Sequence, residues 1–317
     1  MTVGLLGFQT SIAAPVTLTG TGVHSGAPVT LTFQPADAGT GIVFSRVFSD
    51  GNSIEYRAVS SQVGPTDLCT ILGSSPATWI ATIEHVMAAL YALGIDNVVV
   101  EVDAGEMPIM DGSSGAFIEA IEQVGIVNLG VKRRYIRVVK PVRIDSGASW
   151  SEFRPYDGTR FEVEIDFSTP LIGRQSWKGE LTPASFKDEL SRARTFGFMR
   201  DVERLWAAGF ALGSSLENSV VISDDDTVVN VEGLRYKDEF VRHKTLDAVG
   251  DLALAGAQFI GCYRSYRGGH KMNANALKAL LNDPSAYEIV EAPVRSHRVR
   301  AGEFVPVQAP ELSAWFA

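Results

Sequence analysis

Residues 79–102 read WIATIEHVMAALYALGIDNVVVEV, a helix pattern that leads directly into a strand pattern. Apolar residues recur at helical spacing from Trp79 to Leu93, and Gly94 is typical of the residue that ends a helix. The segment Asn97–Val102 is rich in valine, which indicates a buried strand. The sequence therefore predicts an amphipathic helix joined by a short turn to a strand of the core.

The same order of helix, glycine and strand returns in the second half of the chain. A helix is predicted over residues 238–255, Gly256 follows it, and a strand is predicted near Phe259–Tyr266. The N-terminal third favours strands and turns, and Val29–Phe33 alternates apolar with polar residues. We therefore expect an α+β fold of two domains with similar topology.

The boundary between the two halves is predicted near residue 130, where Asn128, Gly130 and a short basic run interrupt the patterns. This gives an N-terminal α+β domain over 1–129 and a C-terminal α+β domain over 130–317. Further strands are predicted in the second domain at Tyr135–Ile144, Trp150–Pro155 and Phe161–Phe167. Shorter helices are predicted at Phe117–Val124 and Arg200–Gly209.

The composition excludes several classes of protein. The chain has 317 residues, 45% of them hydrophobic and 21% charged, which is typical of a globular protein and not of a disordered or coiled-coil chain. Lys and Arg number 28 against 37 Asp and Glu, so the formal net charge is −9. An acidic protein repels phosphate backbones, and Arg295, Arg298 and Arg300 are too sparse for a basic patch. We therefore expect no nucleic-acid partner.

Cysteine usage and hydropathy favour a cytoplasmic protein. Cys69 and Cys262 are far apart and form no CxxC pair, which excludes a disulfide framework and fits a reducing compartment. The first 36 residues contain no charged residue, and polar residues interrupt their apolar runs, which disfavours a secretory signal. No apolar run is long enough for a transmembrane helix. We expect a cytoplasmic monomer without stable membrane insertion.

The predicted helix over 238–255 carries a polar stripe, because His243, Asp247 and Asp251 follow one another at intervals of four residues. An imidazole one turn from a carboxylate can bind a metal ion such as zinc, with Lys244 alongside. The alternative is a solvent-exposed His–Asp pair, which is the commoner origin of an isolated H-x-x-x-D pattern. The stripe by itself leaves both explanations open.

Glu84 and His85 are the second candidate pair. At about 100° per residue, His85 points away from the apolar stripe of its helix, so we expect the pair to face solvent or a cleft. A glutamate beside a histidine can supply a general base and a metal ligand, although most such dipeptides lie on the surface. The remaining histidines favour simpler positions: His270 in a loop after a strand, His24 in a turn, and His297 in an exposed tail.

Other catalytic motifs are absent from the sequence. No serine lies in a G-x-S-x-G elbow, which disfavours a serine hydrolase. Neither a Walker loop nor a dinucleotide-binding glycine pattern between strand and helix is present, which disfavours nucleotide hydrolysis and nicotinamide chemistry.

Taken together, the segments resemble one family, the zinc-dependent UDP-3-O-acyl-N-acetylglucosamine deacetylases of lipid A biosynthesis in Gram-negative bacteria. The resemblance runs in the family's order from about residue 15 to residue 285, which is nearly the whole chain. The matching segments are Gly20–Gly26, Thr82–Leu90, Leu93–Asn97, Pro108–Ser113, Ser191–Phe198, Gly233–Tyr236, Asp238–Lys244, Leu246–Asp251 and Gly269–His270. Their combination is far more specific than any one of them.

The resemblance implies two α+β domains with helices packed on sheet layers, a β-α-α-β sandwich whose active site lies between the domains. It also implies one zinc ion, for which iron(II) can compete, bound by His85, His243 and Asp247. Three protein ligands and an open position for water are typical of a catalytic zinc. The substrate would be a UDP-sugar that carries a fatty acyl chain, and the reaction would release acetate.

The resemblance assigns four further residues to catalysis. Glu84 would be the general base that takes a proton from water, and Thr195 would stabilise the oxyanion together with zinc. His270 would protonate the leaving amine. Asp251 would orient His270 and keep it protonated, since a carboxylate partner raises the pKa of a histidine.

The resemblance also implies the substrate contacts. Phe196 and Lys244 match positions that contact the sugar, and the backbone around Leu68, Cys69 and Thr70 matches a wall of the site. An insert near 195–230 would form the passage for the acyl chain, with Phe198, Met199, Ala211 and Ser214 among its residues, although ordinary core packing explains its apolar residues equally well. We also weigh a non-catalytic relative that binds nucleotide-sugar or acyl ligands, but no ligand or catalytic residue of the family is missing.

Two positions depart from the family's pattern. Gly213-Ser214-Ser215 stands where the family often has Gly-Gly-Ser, so a hydroxymethyl group enters the passage. Arg267-Gly-Gly-His270 stands where many members have Lys-Ser-Gly-His, and a guanidinium differs from an ammonium in shape and hydrogen bonding. We therefore expect Ser214 to change the fit of acyl groups in the passage and Arg267 to change the contacts with the nucleotide phosphates.

Overall fold

The structure is a computed structural model that describes residues 7–292. The first half contains seven strands and two helices: β1 Phe8–Ile12, β2 Val16–Thr21, β3 Pro28–Pro35, β4 Ile42–Val47, β5 Ser53–Arg57, α1 Glu84–Leu93, β6 Val98–Val102, α2 Gly115–Val124 and β7 Ile126–Lys132. The second half contains β8 Arg134–Val138, β9 Val142–Ser146, β10 Ser149–Arg154, β11 Thr159–Asp166, β12 Arg174–Glu180, α3 Pro183–Glu189, β13 Phe196–Phe198, α4 Met199–Ala207, β14 Val220–Ile222, α5 Glu239–Ala253, β15 Gln258–Tyr266, α6 His270–Leu281 and β16 Tyr287–Glu291.

The two halves share one sheet topology. The first sheet has the strand order β2-β3-β6-β4-β5, and the corresponding part of the second sheet has the order β9-β10-β15-β11-β12. In each sheet the central strand is antiparallel to the neighbour on one side, β3 or β10, and parallel to the neighbour on the other, β4 or β11. A parallel pair needs a crossover connection, and each central strand directly follows a core helix, α1 or α5. The predicted duplication of topology is confirmed.

Helices α1 and α5 form the middle of the molecule and pack against each other between the two sheets. All ten residues of α1 are buried, as are most residues of α5, which is typical of helices covered on every side. Helix α2 contacts β2 in one half, and α6 contacts β9 and β10 in the other. The layers follow the order sheet, helices, helices, sheet, as the resemblance implies. Within residues 7–292, no helix is long and apolar enough to cross a membrane.

One glycine permits the close approach of α1 and α5. A Cβ atom placed on Gly250 of α5 would lie 2.0 Å from the carbonyl oxygen of Glu84 at the start of α1. No larger residue fits there without moving one helix away from the other. Gly250 therefore sets the spacing between the first turn of α1 and the middle of α5.

The predicted start of the first helix is wrong by one and a half turns. The helical spacing of apolar residues begins at Trp79, but Ile80 and Ala81 form β-bridges with Leu72 and Glu106 instead. Thr82 then adopts a left-handed conformation with φ of 59°, which is rare for a β-branched residue, and α1 begins two residues later. Over so few residues, the apolar pattern of a bridged, strand-like segment is the same as that of a helix. The sequence therefore offers no means of telling the two apart.

The predicted strand Tyr135–Ile144 is two strands. Pro141 stands between β8 and β9 and has no backbone N–H to donate to a sheet. The predicted helix over 238–255 and the predicted strand at Phe259–Tyr266 are confirmed as α5 and β15, to within two residues at each end. The domain boundary near residue 130 falls within β7, which pairs with β1, and it stays a prediction.

Candidate metal centre

Three side chains from α1 and α5 converge where the two helices cross. His85, His243 and Asp247 each offer a ligand atom, and these atoms lie within 4.8 Å of one another. The Asp247 Oδ1 atom is 3.5 Å from His85 Nε2 and 3.3 Å from His243 Nε2. His243 and Asp247 share one face of α5 because they are four residues apart. His85 reaches them through the helix crossing that Gly250 permits.

The hydrogen bonds around these side chains leave the ligand atoms free. His243 Nδ1 lies 3.0 Å from the carbonyl oxygen of Ala193, which can only accept, so Nδ1 carries the proton and Nε2 keeps its lone pair. Lys244 Nζ donates to Asp247 Oδ2 at 3.0 Å. Asp247 Oδ1 is buried and has no hydrogen-bond partner within residues 7–292. A buried, unpaired carboxylate oxygen beside two imidazole nitrogens fits a divalent cation.

The electrostatics favour the protonation states that metal binding requires. Burial lowers the pKa of His243 to about 3, so its imidazole is neutral at physiological pH. Burial opposes the ionisation of Asp247, but the neighbouring His243 and Lys244 outweigh it and hold the pKa of that carboxyl well below its usual range. Neutral imidazole and ionised carboxylate are the forms that coordinate a metal ion.

Glu84 lies at the first turn of α1, beside the three candidate ligands. It is 3% exposed and His85 is 4% exposed, yet both line a cavity, so the pair faces a cleft and not open solvent. The backbone N–H of Thr70 donates to Glu84 Oε2 at 3.0 Å, and the other oxygen, Oε1, is 3.9 Å from His270 Nε2. Burial raises the pKa of Glu84, and the nearby His270 opposes that shift. A carboxylate with a raised pKa is a better base than an exposed one.

His270 is the first residue of α6, not a loop residue as its flanking glycines predict. Its Nδ1 atom is 2.9 Å from Asp251 Oδ2, so Nε2 points toward Glu84 and Asp247. Burial alone would lower the pKa of His270, but the carboxylates of Asp251 and Glu84 outweigh it and raise that pKa to about 9. Such an imidazole is protonated at neutral pH and can act as a general acid.

Thr195 is held at the cavity wall by its backbone. Its N–H donates to the carbonyl oxygen of Gly112 at 2.8 Å, and its own carbonyl oxygen accepts from Val220 N at 2.8 Å. Gly112 has φ of 83°, and a Cβ atom on it would lie 2.1 Å from the carbonyl oxygen of Asn218, so only glycine fits. The backbone at Thr195 is therefore fixed between the segments of Gly112 and Val220, and this fixes the position of the Thr195 side chain.

A cavity of about 440 Å³ opens from these residues. Its polar end contains Glu84, Thr195, Lys244 and the three candidate ligands, and its other end is lined mostly by apolar side chains. Seven of the predicted substrate-binding residues line it, namely Phe196, Lys244, Leu68, Phe198, Met199, Ala211 and Ser214. Cys69 does not line it, because its side chain is buried in a small apolar cluster with Ile71 and Ala81. Asp251 does not line the cavity either, but it forms a hydrogen bond with His270, which does.

The apolar end of the cavity is built largely by α4 and its neighbours. None of the residues of α4 is buried, so ordinary core packing does not explain its apolar side chains. Met199, Val202, Leu205 and Trp206 line the cavity from this helix. Helix α4 therefore presents its apolar face to an open cavity.

Several lining residues were missed from the sequence. His24 lies in a turn, as predicted, but it also lines the cavity, where its ring centre is 5.4 Å from that of Phe210. Its place in the segment Gly20–Gly26, which carries the family resemblance, is the signal that singles it out. Val221 and Val229 come from β14 and the loop after it, and nothing in their local sequence indicates a cavity.

Comparisons with known proteins find one matching family model and several closely similar relatives. Residues 9–282 match the family model described as LpxC: UDP-3-O-acyl N-acetylglycosamine deacetylase. Proteins named UDP-3-O-acyl-N-acetylglucosamine deacetylase from Brucella ovis and Brucella canis are each 62% identical over 286 residues, which cover 90% of this chain and 99% of each relative. The protein of that name from Brucella melitensis is 61% identical over the same length.

Proposed function

This chain belongs to the UDP-3-O-acyl-N-acetylglucosamine deacetylase family, and from that membership we propose that it hydrolyses UDP-3-O-(3-hydroxyacyl)-N-acetylglucosamine. The amide bond of the N-acetyl group is broken, and the products are acetate and UDP-3-O-(3-hydroxyacyl)-glucosamine, an early committed step of lipid A biosynthesis. The observation that supports the proposal is one cavity lined at one end by Glu84, His270 and the three candidate metal ligands and at the other end mostly by apolar side chains. Two buried, unpaired cysteines fit a cytoplasmic location.

We propose zinc as the metal held by His85, His243 and Asp247. Two imidazoles and one carboxylate form a donor set that suits zinc, although iron(II) can also occupy such a set. A bound metal ion supplies Lewis acidity, which polarises the amide carbonyl and lowers the pKa of water. The unpaired Asp247 Oδ1 and the neutral His243 are the features of this chain that support the assignment.

Glu84 is the proposed general base. Its Oε1 atom faces the cavity beside the candidate ligands, whereas Oε2 is occupied by the Thr70 N–H. As the oxygen of water forms a bond to the amide carbon, Glu84 takes the proton from that water. The carbonyl oxygen becomes negatively charged in this step, and the Thr195 hydroxyl donates a hydrogen bond to it.

His270 is the proposed general acid. When the carbon–nitrogen bond breaks, the leaving nitrogen needs a proton, and the protonated His270 supplies it from Nε2. Asp251 holds the ring by its Nδ1 atom, 2.9 Å away, so that Nε2 stays directed at the reacting groups. The proton that Glu84 has taken can then reprotonate His270 across the 3.9 Å that separate them.

The two ends of the cavity fit the two ends of the substrate. Phe196 and Lys244 lie together near the polar end, with Lys244 Nζ 5.7 Å from the Phe196 ring centre, and they suit a sugar. The apolar arm beside α4 suits the acyl chain, because burying methylene groups there removes them from water. The assignment of these residues to the substrate rests on family membership and on their place in the cavity.

The pH dependence of kcat/KM follows from the two proposed proton-transfer groups. Glu84 must be ionised, so the rate rises with pH through its raised pKa; His270 must be protonated, so the rate falls as pH passes its pKa of about 9. We expect a bell-shaped profile. Asp251→Asn removes the carboxylate that raises the pKa of His270 and should move the basic limb to lower pH. A basic limb that stays in place in this variant would contradict the assignment of His270.

Ser214 is expected to affect ligand fit more than turnover. Its side chain is exposed to the cavity, and its Oγ atom lies 3.2 Å from Ser219 Oγ. Ser214→Gly removes this hydroxymethyl group from the cavity wall, which should tighten binding of a long, rigid acyl-mimicking inhibitor by roughly tenfold, with kcat unchanged. Inhibition constants for long and short ligands test this prediction. Equal inhibition of both proteins by the long ligand would contradict it.

The proposed function is tested by incubating the purified protein with the substrate and identifying the products by mass spectrometry. The proposal predicts loss of the acetyl group alone, with the acyl ester and the diphosphate intact. A protein that binds the substrate with one metal ion per chain and leaves it unchanged would instead support the non-catalytic relative.

A further inference from the structure

Thr70 lies between the proposed base and the carboxylate that holds the proposed acid. It precedes α1 by fourteen residues in the chain, and its side chain is 1% exposed. Its backbone N–H donates to Glu84 Oε2 at 3.0 Å, and its hydroxyl donates to Asp251 Oδ1 at 2.5 Å. Its carbonyl oxygen accepts from Ile83 N at 3.3 Å. Every polar atom of Thr70 is thus committed to groups around the proposed reaction centre.

We propose that Thr70 is a positioning residue that fixes Glu84 and Asp251 relative to each other; this inference rests on the proposed function. Because its N–H occupies Glu84 Oε2, it leaves Oε1 as the oxygen that faces His270 and the cavity. Thr70 thereby selects which carboxylate oxygen receives the proton from water.

The hydroxyl of Thr70 holds the second carboxylate, that of Asp251. Asp251 Oδ2 accepts from His270 Nδ1 at 2.9 Å and from Asn273 Nδ2 at 2.8 Å, whereas Thr70 is the partner of Oδ1. Donors on both oxygens fix the plane of the carboxylate and therefore the direction of the His270 ring. Without the Thr70 hydroxyl, Oδ1 would be buried and unpaired, which is costly, and the carboxylate would turn to find another donor.

Thr70 also joins the two halves of the molecule at this point. It belongs to the first half together with Glu84, whereas Asp251, Asn273 and His270 belong to the second. The base and the acid therefore come from different halves, and one residue links them: the Thr70 backbone N–H donates to Glu84, and the Thr70 hydroxyl donates to Asp251, which holds His270. A misplacement of about 1 Å between reacting groups costs on the order of 100-fold in rate.

The test compares Thr70→Val, which keeps the shape and the backbone N–H, with Thr70→Ser, which keeps the hydroxyl. We expect Thr70→Val to lower kcat by about 10- to 100-fold, with KM and bound metal unchanged, and Thr70→Ser to restore most of kcat. The matched control is Thr245→Val, because Thr245 is fully buried on α5 and its hydroxyl donates to the carbonyl oxygen of Val241 one turn earlier on the same helix. An unchanged kcat in Thr70→Val, an equal loss in Thr245→Val, or a loss confined to KM would overturn the proposal.

A second measurement does not depend on turnover. The His270 Nδ1 proton, assigned by its loss in His270→Ala, is followed by proton NMR in the metal-loaded protein. Removing the Thr70 hydroxyl lets the Asp251 carboxylate turn, which changes the geometry of the His270–Asp251 hydrogen bond, so the resonance should move in Thr70→Val but not in Thr245→Val. A resonance that stays in place overturns the positioning role, whatever the activity. A shift in a protein that releases no acetate would support the positioning role and refute the proposed function.

Discussion

Glu84→Gln should lower the rate of acetate release by about 1,000-fold, within the range that general base catalysis contributes. Glutamine has nearly the same shape as glutamate, and its carbonyl oxygen can still accept from the Thr70 N–H. It cannot take a proton from water at neutral pH. Because Glu84 is not one of the three candidate ligands, bound metal should stay at the wild-type level, as measured by inductively coupled plasma mass spectrometry.

The matched control is Glu122→Gln. Glu122 on α2 forms an exposed ion pair with Lys187 on α3, neither residue lines the cavity, and such pairs contribute little to stability. This variant should release acetate at the wild-type rate. If Glu84→Gln keeps full activity, or if it loses its metal along with its activity, the assignment of Glu84 as the base is refuted.

His243→Ala should abolish metal binding and with it the catalytic activity. The variant keeps only His85 and Asp247 of the three candidate ligands, and a metal ion contributes several kcal/mol to such a reaction, which corresponds to about 1,000-fold or more in rate. Added zinc should raise the unfolding temperature of the wild-type protein, since a ligand that binds only the folded state stabilises it. The unfolding temperature of His243→Ala should not respond to zinc.

Arg242→Gln serves as the control for this experiment. Arg242 adjoins His243 on α5 but points to Asp238 and Glu189, so its replacement should leave the metal content unchanged. A His243→Ala protein that still binds one zinc per chain and releases acetate at the wild-type rate would contradict the metal centre.

The sequence predicts the parts of the centre that lie on one helix. His243 and Asp247 are neighbours because residues four apart on α5 must be, and this rule needs no tertiary information. Their approach to His85 depends on the crossing of α1 and α5, which Gly250 permits by its lack of a Cβ atom. No local pattern contains that contact, so without the family resemblance the sequence left a surface ion pair open as an alternative.

The secondary structure was also predicted where it depends on local sequence and missed where it depends on tertiary contacts. Periodicity predicted α5 and β15 closely, but it placed the start of α1 at Trp79 because the bridged residues before Thr82 happen to follow helical spacing. The helix at Arg200–Gly209 was predicted almost correctly as α4. Only the tertiary structure shows that its apolar face lines an open cavity, because a core face and a cavity face have the same composition.

Acetate release before and after metal removal tests the central claim most directly. The purified protein is assayed with UDP-3-O-(3-hydroxyacyl)-N-acetylglucosamine as isolated, after treatment with a chelator, and after addition of one equivalent of zinc. The account predicts activity that the chelator removes and zinc restores, with no restoration in His243→Ala. Acetate release that continues unchanged in the metal-free protein would contradict it.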